Sequence, residues 1–368
     1  MNLYYLVLSD IHLGHNINKT DNIITNLKFF FITYHKQFKN LNMIFLAGDI
    51  FDKLLVNSGN DYIQAMNWLT YLVRYCQKHN ITLRVLEGTP SHDWKQMSAF
   101  SNIINDLNIS VDYKYIDTLY IEYITKFNLY ILYIPDEYKN NAKDTYKEVK
   151  KLLEKMNLKQ VDIAIMHGQF NYQLPIKLDS SHNEEDYLSI VKYFINIGHI
   201  HTHSVRGRII AQGSFDRLAH GEEENKGGVL IHLSDTNQSW WFLNNDKAMV
   251  FKTYNIEDND LEAIVKYLDK ELKQYPVNSN IRLIIKDDEF IIKNATSLKM
   301  RYHRVNLKIQ KSKQVEEIKQ KIIEEEVMIN SFNITKDNIE ELMDKEMEKF
   351  NLSSEEMKLY KQELHKVI

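Results

Sequence analysis

The sequence contains one cysteine, Cys76, and only 11 glycines and 4 prolines among its 368 residues. A single cysteine excludes a disulfide within the chain. Because Cys76 lies in a helical pattern, we expect it to be a buried structural thiol. A chain that cannot form an internal disulfide fits a reducing cytoplasm, so we expect a cytoplasmic protein. So few glycines and prolines leave little room for long flexible linkers. No apolar run approaches the length of a membrane span, and the apolar residues 1–8 lack the features of a signal peptide, so no membrane partner is predicted.

The composition is that of a globular chain, with 44% hydrophobic and 26% charged residues. The formal net charge is −4, which argues against nonspecific attraction of the whole surface to nucleic acid. Any contact with DNA must therefore come from local patches or from a partner. The basic residues considered as DNA contacts are Lys95, Arg206, Arg208, Arg217, Lys299 and Arg301.

Five segments that are far apart in the sequence place aspartate or histidine directly after an apolar run. They are Asp10-Ile11-His12, Gly48-Asp49, Ser91-His92-Asp93, His167-Gly168 and Gly198-His199-Ile200-His201. If Tyr193–Ile197 is a strand, alternation points His199 and His201 to the same side. Functional sites in open α/β sheets gather at the carboxyl ends of strands, so we expect these segments to meet in one site.

The spacing of apolar residues predicts an α/β fold over residues 1–245. Strands are expected at Leu3–Ser9, Leu41–Ala47 and Ile81–Leu86, with helices at Asp21–Lys39 and Tyr62–His79 between them. From Ile109 to Ile134 the chain alternates in short strands. The prediction is one domain of two stacked sheets with helices outside.

Two further segments follow. Residues 246–311 predict a small α+β domain, with a helix over 258–274 and strands over 247–254, 281–286 and 304–309. Residues 312–368 consist almost entirely of helix formers with apolar residues at helical spacing. These helices either pack on the preceding domain or form an exposed hairpin that docks a partner's helix.

The candidate ligands are too many for one ion. Two divalent ions bridged by one carboxylate need roughly this set of ligands. The set consists of Asp10, His12, Asp49, His167, His199 and His201, with a residue from the Ser91 loop. Mixed aspartate and histidine ligation suits Mn²⁺, Fe²⁺ or Zn²⁺ and argues against calcium. A water activated by the ions would then be the nucleophile, and no serine or cysteine nucleophile is required. His92 is expected to contact the phosphate or to protonate the leaving oxygen, with Asp93 orienting its ring.

The order of these motifs resembles the calcineurin-like metallophosphoesterase superfamily over residues 1 to about 235. Within it, Gly48-Asp49-Ile50-Phe51-Asp52 is similar to SbcD-type DNA repair and recombination exonucleases, including their phage counterparts. A second stretch carries the same resemblance: Gly213-Ser214-Phe215-Asp216-Arg217, His220-Gly221-Glu222-Glu223 and Lys226-Gly227. The fold implied is a two-sheet metallophosphoesterase sandwich flanked by helices, followed by a small α+β capping domain and C-terminal helices.

The resemblance also implies roles for individual residues. The first metal would be held by Asp10, His12, Asp49 and His201. The second metal would be held by Asp49, His167 and His199, and the catalytic histidine would be His92. The family's usual Gly-Asn-His-Asp motif is Gly88-Thr89-Pro90-Ser91-His92-Asp93 here, so the asparagine ligand is missing. Ser91, immediately before His92, is expected to offer a hydroxyl, a weaker ligand, in its place; the alternative is a water molecule in that position.

The leading functional hypothesis is a DNA exo/endonuclease with two divalent ions, Mn²⁺ being favoured over the others. By resemblance it would act as a homodimer in recombination or repair, and residues 312–368 would grip the coiled coil of an SbcC-like SMC-type ATPase. Two alternatives remain open. One is a phosphodiesterase or phosphatase acting on small molecules, and the other is a weakly active scaffold without a full second metal site.

Overall fold

A computed structural model of the protein describes residues 2–257, 260–286 and 288–311. The strands in this part of the chain are β1 (Asn2–Leu8), β2 (Met43–Ala47), β3 (Thr82–Leu86), β4 (Tyr113–Ile116), β5 (Tyr120–Ile124), β6 (Leu129–Ile134), β7 (Ile163–Gly168), β8 (Ile195–His199), β9 (Ser204–Arg206), β10 (Ile209–Ala211), β11 (Gly227–Ser234), β12 (Gln238–Asn244), β13 (Phe251–Ile256), β14 (Asn280–Ile285) and β15 (Asn306–Lys311). The α-helices in the same part are α1 (Thr20–Thr33), α2 (Asn60–His79), α3 (Pro90–Asp93), α4 (Gln96–Asp106), α5 (Ala142–Lys155), α6 (Glu184–Ile190), α7 (Leu261–Glu271) and α8 (Asp288–Arg301).

Two mixed sheets of six strands form the α/β region. The first has the order β12-β11-β1-β2-β3-β4, in which β1 to β4 run parallel and β11 and β12 are antiparallel additions. The second has the order β5-β6-β7-β8-β10-β9, in which β6, β7, β8 and β10 run parallel. The expected α/β arrangement of two sheets flanked by helices is therefore confirmed.

The two sheets share one apolar core, and alternation along the strands explains how it forms. Tyr5 and Val7 of β1 pack with Ile131 of β6 and Ile165 of β7 in a cluster fed by both sheets. Leu6, the neighbour of these β1 residues, points to the opposite face. Successive side chains of a strand alternate between faces, so each strand contributes to the shared core and to an outer layer.

Helices cover the outer faces. On the first sheet, α1, α2 and α4 bury apolar residues against Leu6, Leu8, Ile44 and Leu46. On the second sheet, α5 and α6 do the same against β6, β7 and β8. The predicted structural thiol, Cys76, is buried in α2 and forms no disulfide. No helix within the described residues is both long and apolar enough to cross a membrane.

A buried ion pair connects the two sheets. Arg84 of β3 is 4% exposed, and its Nε lies 2.8 Å from Oε2 of Glu122 on β5, which is 8% exposed. The Glu122 carboxylate also accepts hydrogen bonds from Lys114 (2.7 Å) and from the hydroxyl of Tyr133 (3.0 Å). Burial would raise the pKa of Glu122, but the bonds from Arg84 and Lys114 outweigh burial and lower it. The pair therefore contributes stability while Glu122 is ionised.

We expect Glu122→Gln to lower the free energy of unfolding at pH 7 by about 2 kcal/mol, because it takes the buried carboxylate away from Arg84, which keeps an ion pair with the exposed carboxylate of Asp112. Since the folded-state pKa is depressed, the wild-type contribution is present above the ordinary glutamate pKa and is lost as pH falls through the folded value. The difference between wild type and variant should therefore shrink in acid. Urea unfolding at pH 7 and near pH 3 measures this difference in unfolding free energy. Glu148→Gln is the control, because the Glu148–Lys151 pair is exposed. Equal differences at both pH values would contradict the assignment.

The three remaining strands build a smaller sheet with the order β13-β14-β15. Strands β13 and β14 run parallel and are joined by α7, while α8 connects β14 to β15. This small α+β unit has its own apolar core, which includes Ile264, Leu268, Ile281 and Leu283. The predicted helices over residues 312–368 lie outside the described residues.

Among the described residues, four α-helices were absent from the sequence-based prediction: the short α3 and α6, and the longer α4 and α8. Helix α4 buries Met97, Phe100 and Ile104, and α8 contributes Phe290 and Leu298 to the core of the small unit. These residues recur at helical spacing, so the signal for both helices is present in the sequence. The predicted first helix also continues too far, because α1 ends at Thr33 and a 3₁₀ turn, Gln37–Asn40, follows it.

Candidate metal centre

The predicted aspartate and histidine ligands lie at the carboxyl ends of strands from both sheets: Asp10 and His12 follow β1, Asp49 follows β2, His167 is in β7, and His199 and His201 end and follow β8. Strands β2 and β7 are buried along their whole lengths, and β8 is buried up to its last residue, His199. Pairing of His167 with Gly198 and of Gly168 with His199 sets the last two strands side by side. The topology thus delivers the ligands to one place.

The backbone of the ligand loops is locally strained. Four ligand residues have backbone φ angles in the left-handed region: Asp10 (φ 50°), His12 (φ 54°), Asp49 (φ 51°) and His199 (φ 98°). Each such non-glycine residue costs about 1–3 kcal/mol, and strain of this kind clusters at functional sites. Hydrogen bonds tie the first two loops together: the Asp10 amide donates to the Gly48 carbonyl (3.1 Å), and the His12 amide donates to the Asp49 carbonyl (3.1 Å).

Three groups of side chains converge closely enough to hold a metal ion. Within each group the ligand atoms lie within 4.8 Å of one another, and the groups are Asp10, His12 and His201; Asp49, His167 and His199; and His12, Asp49 and His92. In the first group, Nε2 of His12 lies 3.2 Å from Nε2 of His201. In the second, Nε2 of His167 lies 3.2 Å from Oδ1 of Asp49. The clusters can therefore bind a metal ion.

Asp49 stands between the first two groups. Its Oδ1 faces His167, whereas its Oδ2 lies 3.8 Å from Nε2 of His12 and 2.9 Å from Nδ1 of His92. The Asp49 residue is 1% exposed, so these oxygens are directed by the fold and not by solvent. A carboxylate placed in this way can serve two ions at once.

The ligand histidines are oriented by hydrogen bonds on the side away from the cluster. Nδ1 of His167 donates to the Ala47 carbonyl (2.7 Å), and Nδ1 of His201 donates to Oε1 of Glu222 (2.7 Å). A carbonyl or carboxylate can only accept, so each ring presents Nε2 to the cluster. Metal-binding histidines are typically held by such partners. Glu222 was not predicted as a site residue, although the Gly-Glu-Glu string after His220 was part of the resemblance.

Electrostatics in the cluster follow from these contacts. Burial would raise the pKa of Asp49, but the charges and hydrogen bonds of His167, His92 and His12 hold it well below its ordinary value. Burial would lower the pKa of His167, yet Asp49 raises it well above the ordinary value. Burial and the neighbouring His167 lower the pKa of His199. The buried negative charge is thus balanced by protonated histidine, a role that a bound cation can take over.

His92 lies on the open side of the cluster, with 36% of its side chain exposed. It belongs to the short helix α3, and its ring centroid is 4.9 Å from that of His12. The hydrogen bond to Asp49, working against burial, raises the pKa of His92 above its ordinary value. His92 is therefore both adjacent to the clustered ligands and accessible from solvent.

Asp93 does not orient the ring of His92, contrary to the sequence-based prediction. The residue is 0% exposed. Its oxygens accept hydrogen bonds from the backbone amides of Asp49 (3.1 Å), Phe51 (2.9 Å) and Gly88 (2.8 Å). Asp93 instead binds the loop after β2 to the loop after β3. The partner of the His92 ring is Asp49.

Ser91 is also displaced from its predicted role. Proline at position 90 begins α3, and this turn leaves Ser91 exposed, with its carbonyl accepting from Nε1 of Trp94 (2.7 Å). The hydroxyl that enters the cluster belongs to Thr89, whose Oγ1 lies 3.2 Å from Oδ2 of Asp49 and 3.3 Å from Nδ1 of His199. A carboxylate that sequence reasoning missed, Asp136, follows β6, and its Oδ2 lies 3.6 Å from Nδ1 of His199.

Two glycines permit the close approach of the ligand loops. A Cβ atom on Gly88 would overlap the backbone nitrogen and the side chain of Asp49. A Cβ atom on Gly198 would press against the Ala47 carbonyl and the His167 ring. Only glycine leaves the space that the ligands occupy at these positions.

Most basic residues considered as DNA contacts are already paired. Arg208 donates to the carbonyls of Leu188, Val191 and Lys192, and Arg217 donates to carbonyls that include Ala248 and Met249. Both have structural roles. The others with recorded ion-pair partners are Lys95 with Asp117, Arg206 with Glu184, and Arg301 with Asp269. Lys299 is exposed on α8.

No protein-family model matches this chain, and no curated protein matches it either. One solved structure aligns with 66% of this chain and with 100% of its own length, at 12% sequence identity and a TM-score of 0.40. A likeness this weak carries no argument about fold or function.

Proposed function

We propose that this chain is a metal-dependent phosphodiesterase that hydrolyses DNA as an exo/endonuclease. The observation that carries the proposal is the convergence of buried aspartate and histidine donors in two groups on either side of Asp49. Buried donors of this kind are costly unless they are paired or bind a cation, and their mixed oxygen and imidazole chemistry suits Mn²⁺, Fe²⁺ or Zn²⁺, of which we favour Mn²⁺. Asp10, His12, Asp49 and His201 would hold one ion, and Asp49, His167 and His199 the other.

When bound, two such ions would activate a water molecule and neutralise the charge of the phosphate. The protein residues supply the remaining chemistry. Asp49 keeps the two ligand groups together, and Glu222 holds His201 with its Nε2 directed to the cluster. His92, on the exposed side, contacts the phosphate and donates a proton to the leaving oxygen.

The small α+β unit favours DNA over a small-molecule substrate. It has a separate core and is joined to the loop that carries Glu222: Oε1 of Glu223 accepts from the Thr253 amide (2.9 Å), and Glu223 pairs with Lys252. A small-molecule phosphodiesterase does not require such an addition. In this proposal residues 1–245 are the metallophosphoesterase domain, and 246–311 form the capping domain over the DNA path.

The proposal extends to partners through the resemblance to SbcD-type nucleases. Residues 312–368 would bind the coiled coil of an SMC-type ATPase, and two copies of the chain would form a homodimer. The apolar helical spacing of residues 318–347 in the sequence supports the first part. A partner would also supply the positive surface that a chain of net charge −4 lacks.

We expect the purified chain to cleave end-labelled DNA with Mn²⁺ and to lose this activity in EDTA. Asp10→Asn should lose activity too, because Asp10 belongs to the first ligand group. Asp117→Asn is the matched control, since Asp117 is exposed and pairs with Lys95. Duplex and single-stranded DNA are assayed beside an aryl phosphodiester reporter.

The outcomes separate the competing functions. Cleavage that needs both Mn²⁺ and Asp10 supports the nuclease. Turnover of the reporter without DNA cleavage, even with the ATPase partner added, would contradict the nuclease function and favour a small-molecule phosphodiesterase. Mn²⁺ binding without turnover of any substrate would contradict both enzymatic functions and favour the scaffold.

A further inference from the structure

The hydroxyl of Thr89 is surrounded by four potential metal ligands. Its Oγ1 lies 3.2 Å from Oδ2 of Asp49, 3.2 Å from Oδ2 of Asp136, 3.3 Å from Nδ1 of His199 and 3.5 Å from Nε2 of His167. Three of these residues, Asp49, His167 and His199, form the second ligand group. Thr89 is therefore adjacent to every member of that group, and Asp136 is adjacent to Thr89 and His199.

These separations are those of neighbouring ligands on one ion. Oxygen and nitrogen ligands lie roughly 2.0–2.2 Å from a small divalent ion, so two ligands at right angles lie about 3 Å apart. Oγ1 of Thr89 lies at this ligand-to-ligand spacing from each of the four atoms, so it could serve as a ligand of the same ion. Hydrogen bonding leaves part of the arrangement unexplained, because the single hydroxyl proton can be donated to only one of the two carboxylate oxygens, Oδ2 of Asp49 or Oδ2 of Asp136.

Both side chains are held in place by the backbone around them. The Thr89 amide donates to Oδ1 of Asp49 (2.6 Å), which fixes the hydroxyl beside that carboxylate. Oδ1 of Asp136 accepts from the Glu137 amide (2.9 Å), which leaves Oδ2 directed at Thr89 and His199. The Asp136 side chain is 13% exposed. The two donors are thus preorganised and largely shielded from water.

We propose that Asp136 and Thr89 complete the second metal position, so that this chain uses a carboxylate and a hydroxyl where the family uses a carboxamide. The inference rests on the proposed function, because it extends the two-ion site. Asp136 adds a second negative charge beside Asp49, which compensates for the weak hydroxyl ligand and favours an oxygen-preferring ion such as Mn²⁺. Ser91 has no part in the site.

The test is Mn²⁺ binding, measured by calorimetry and by the spin coupling between two bound Mn²⁺ ions in electron paramagnetic resonance. The wild-type chain should bind two ions. Asp136→Asn should weaken the second ion by at least about 10-fold and remove the spin coupling, while the first ion keeps its affinity. Thr89→Val, which retains the shape of the side chain, should weaken the second ion less. Asp179→Asn and Thr118→Val, at exposed positions, are the controls.

Thermal unfolding without Mn²⁺ verifies that each variant is folded. Two ions bound with unchanged affinity in both Asp136→Asn and Thr89→Val would overturn the inference, and so would a wild-type chain that binds only one ion. Neither result depends on turnover. If the wild-type chain binds two ions through Asp136 but cleaves no DNA, the inference stands and the proposed nuclease function fails.

Discussion

Asp49→Asn is expected to abolish Mn²⁺-dependent DNA cleavage, with a fall in rate of more than about 100-fold. Changes to residues that only orient ligands cost about 10–100-fold, and Asp49 contacts both ligand groups directly. The substitution replaces one carboxylate oxygen with an amide nitrogen, which cannot bind a cation, and removes the charge between the groups. Both ions should therefore bind more weakly in this variant.

Cleavage assays at saturating DNA, run beside Mn²⁺ titrations, measure this effect. Asp52→Asn is an informative comparison, because Oδ1 of Asp52 lies 3.3 Å from Nδ1 of His12, a member of the first ligand group, and the change should affect that ion with a smaller loss. If Asp49→Asn retained both ions and wild-type turnover, Asp49 could not be the shared ligand. Unfolding curves recorded without metal show whether a loss of activity reflects weaker metal binding or a general loss of structure.

His92→Ala is expected to reduce DNA cleavage by about 10²–10⁴-fold while Mn²⁺ binding is retained. His92 lies on the accessible side of the cluster, with 36% of its side chain exposed, and the proposed function places the leaving oxygen of the phosphodiester beside it. An aryl phosphodiester has a leaving group that needs no proton. Its hydrolysis should therefore fall much less than DNA cleavage in the same variant.

This difference between substrates distinguishes an acid from a ligand. His92 also belongs to the ligand group formed with His12 and Asp49, so its loss could act through a metal ion. Equal losses on both substrates, accompanied by weaker Mn²⁺ binding, would assign His92 to the metal site. His232→Ala is a suitable control, because His232 lies on β11 and bonds to Asn2.

Much of the fold could be predicted because apolar periodicity reports burial directly. The buried strands β2 and β3 are continuous apolar runs interrupted only by Thr82 and Arg84, as expected for parallel strands covered on both faces. Helices α4 and α8 were missed although their apolar residues recur at helical spacing. The glutamate partner of Arg84 could not be found from sequence, because the pair joins strands of different sheets.

The sequence by itself determined which aspartates and histidines lie at the site edge of each sheet, because parallel strands place the residues after them at one edge. Only the tertiary structure decided what surrounds them. The turn at Pro90 directs Ser91 outward and Thr89 inward, and the burial of Asp93 turns its carboxylate to backbone amides. Asp136 is one carboxylate after one strand, with no motif of its own. It joins the site because β6 lies beside β7 in the sheet, a neighbour relation that exists only after folding.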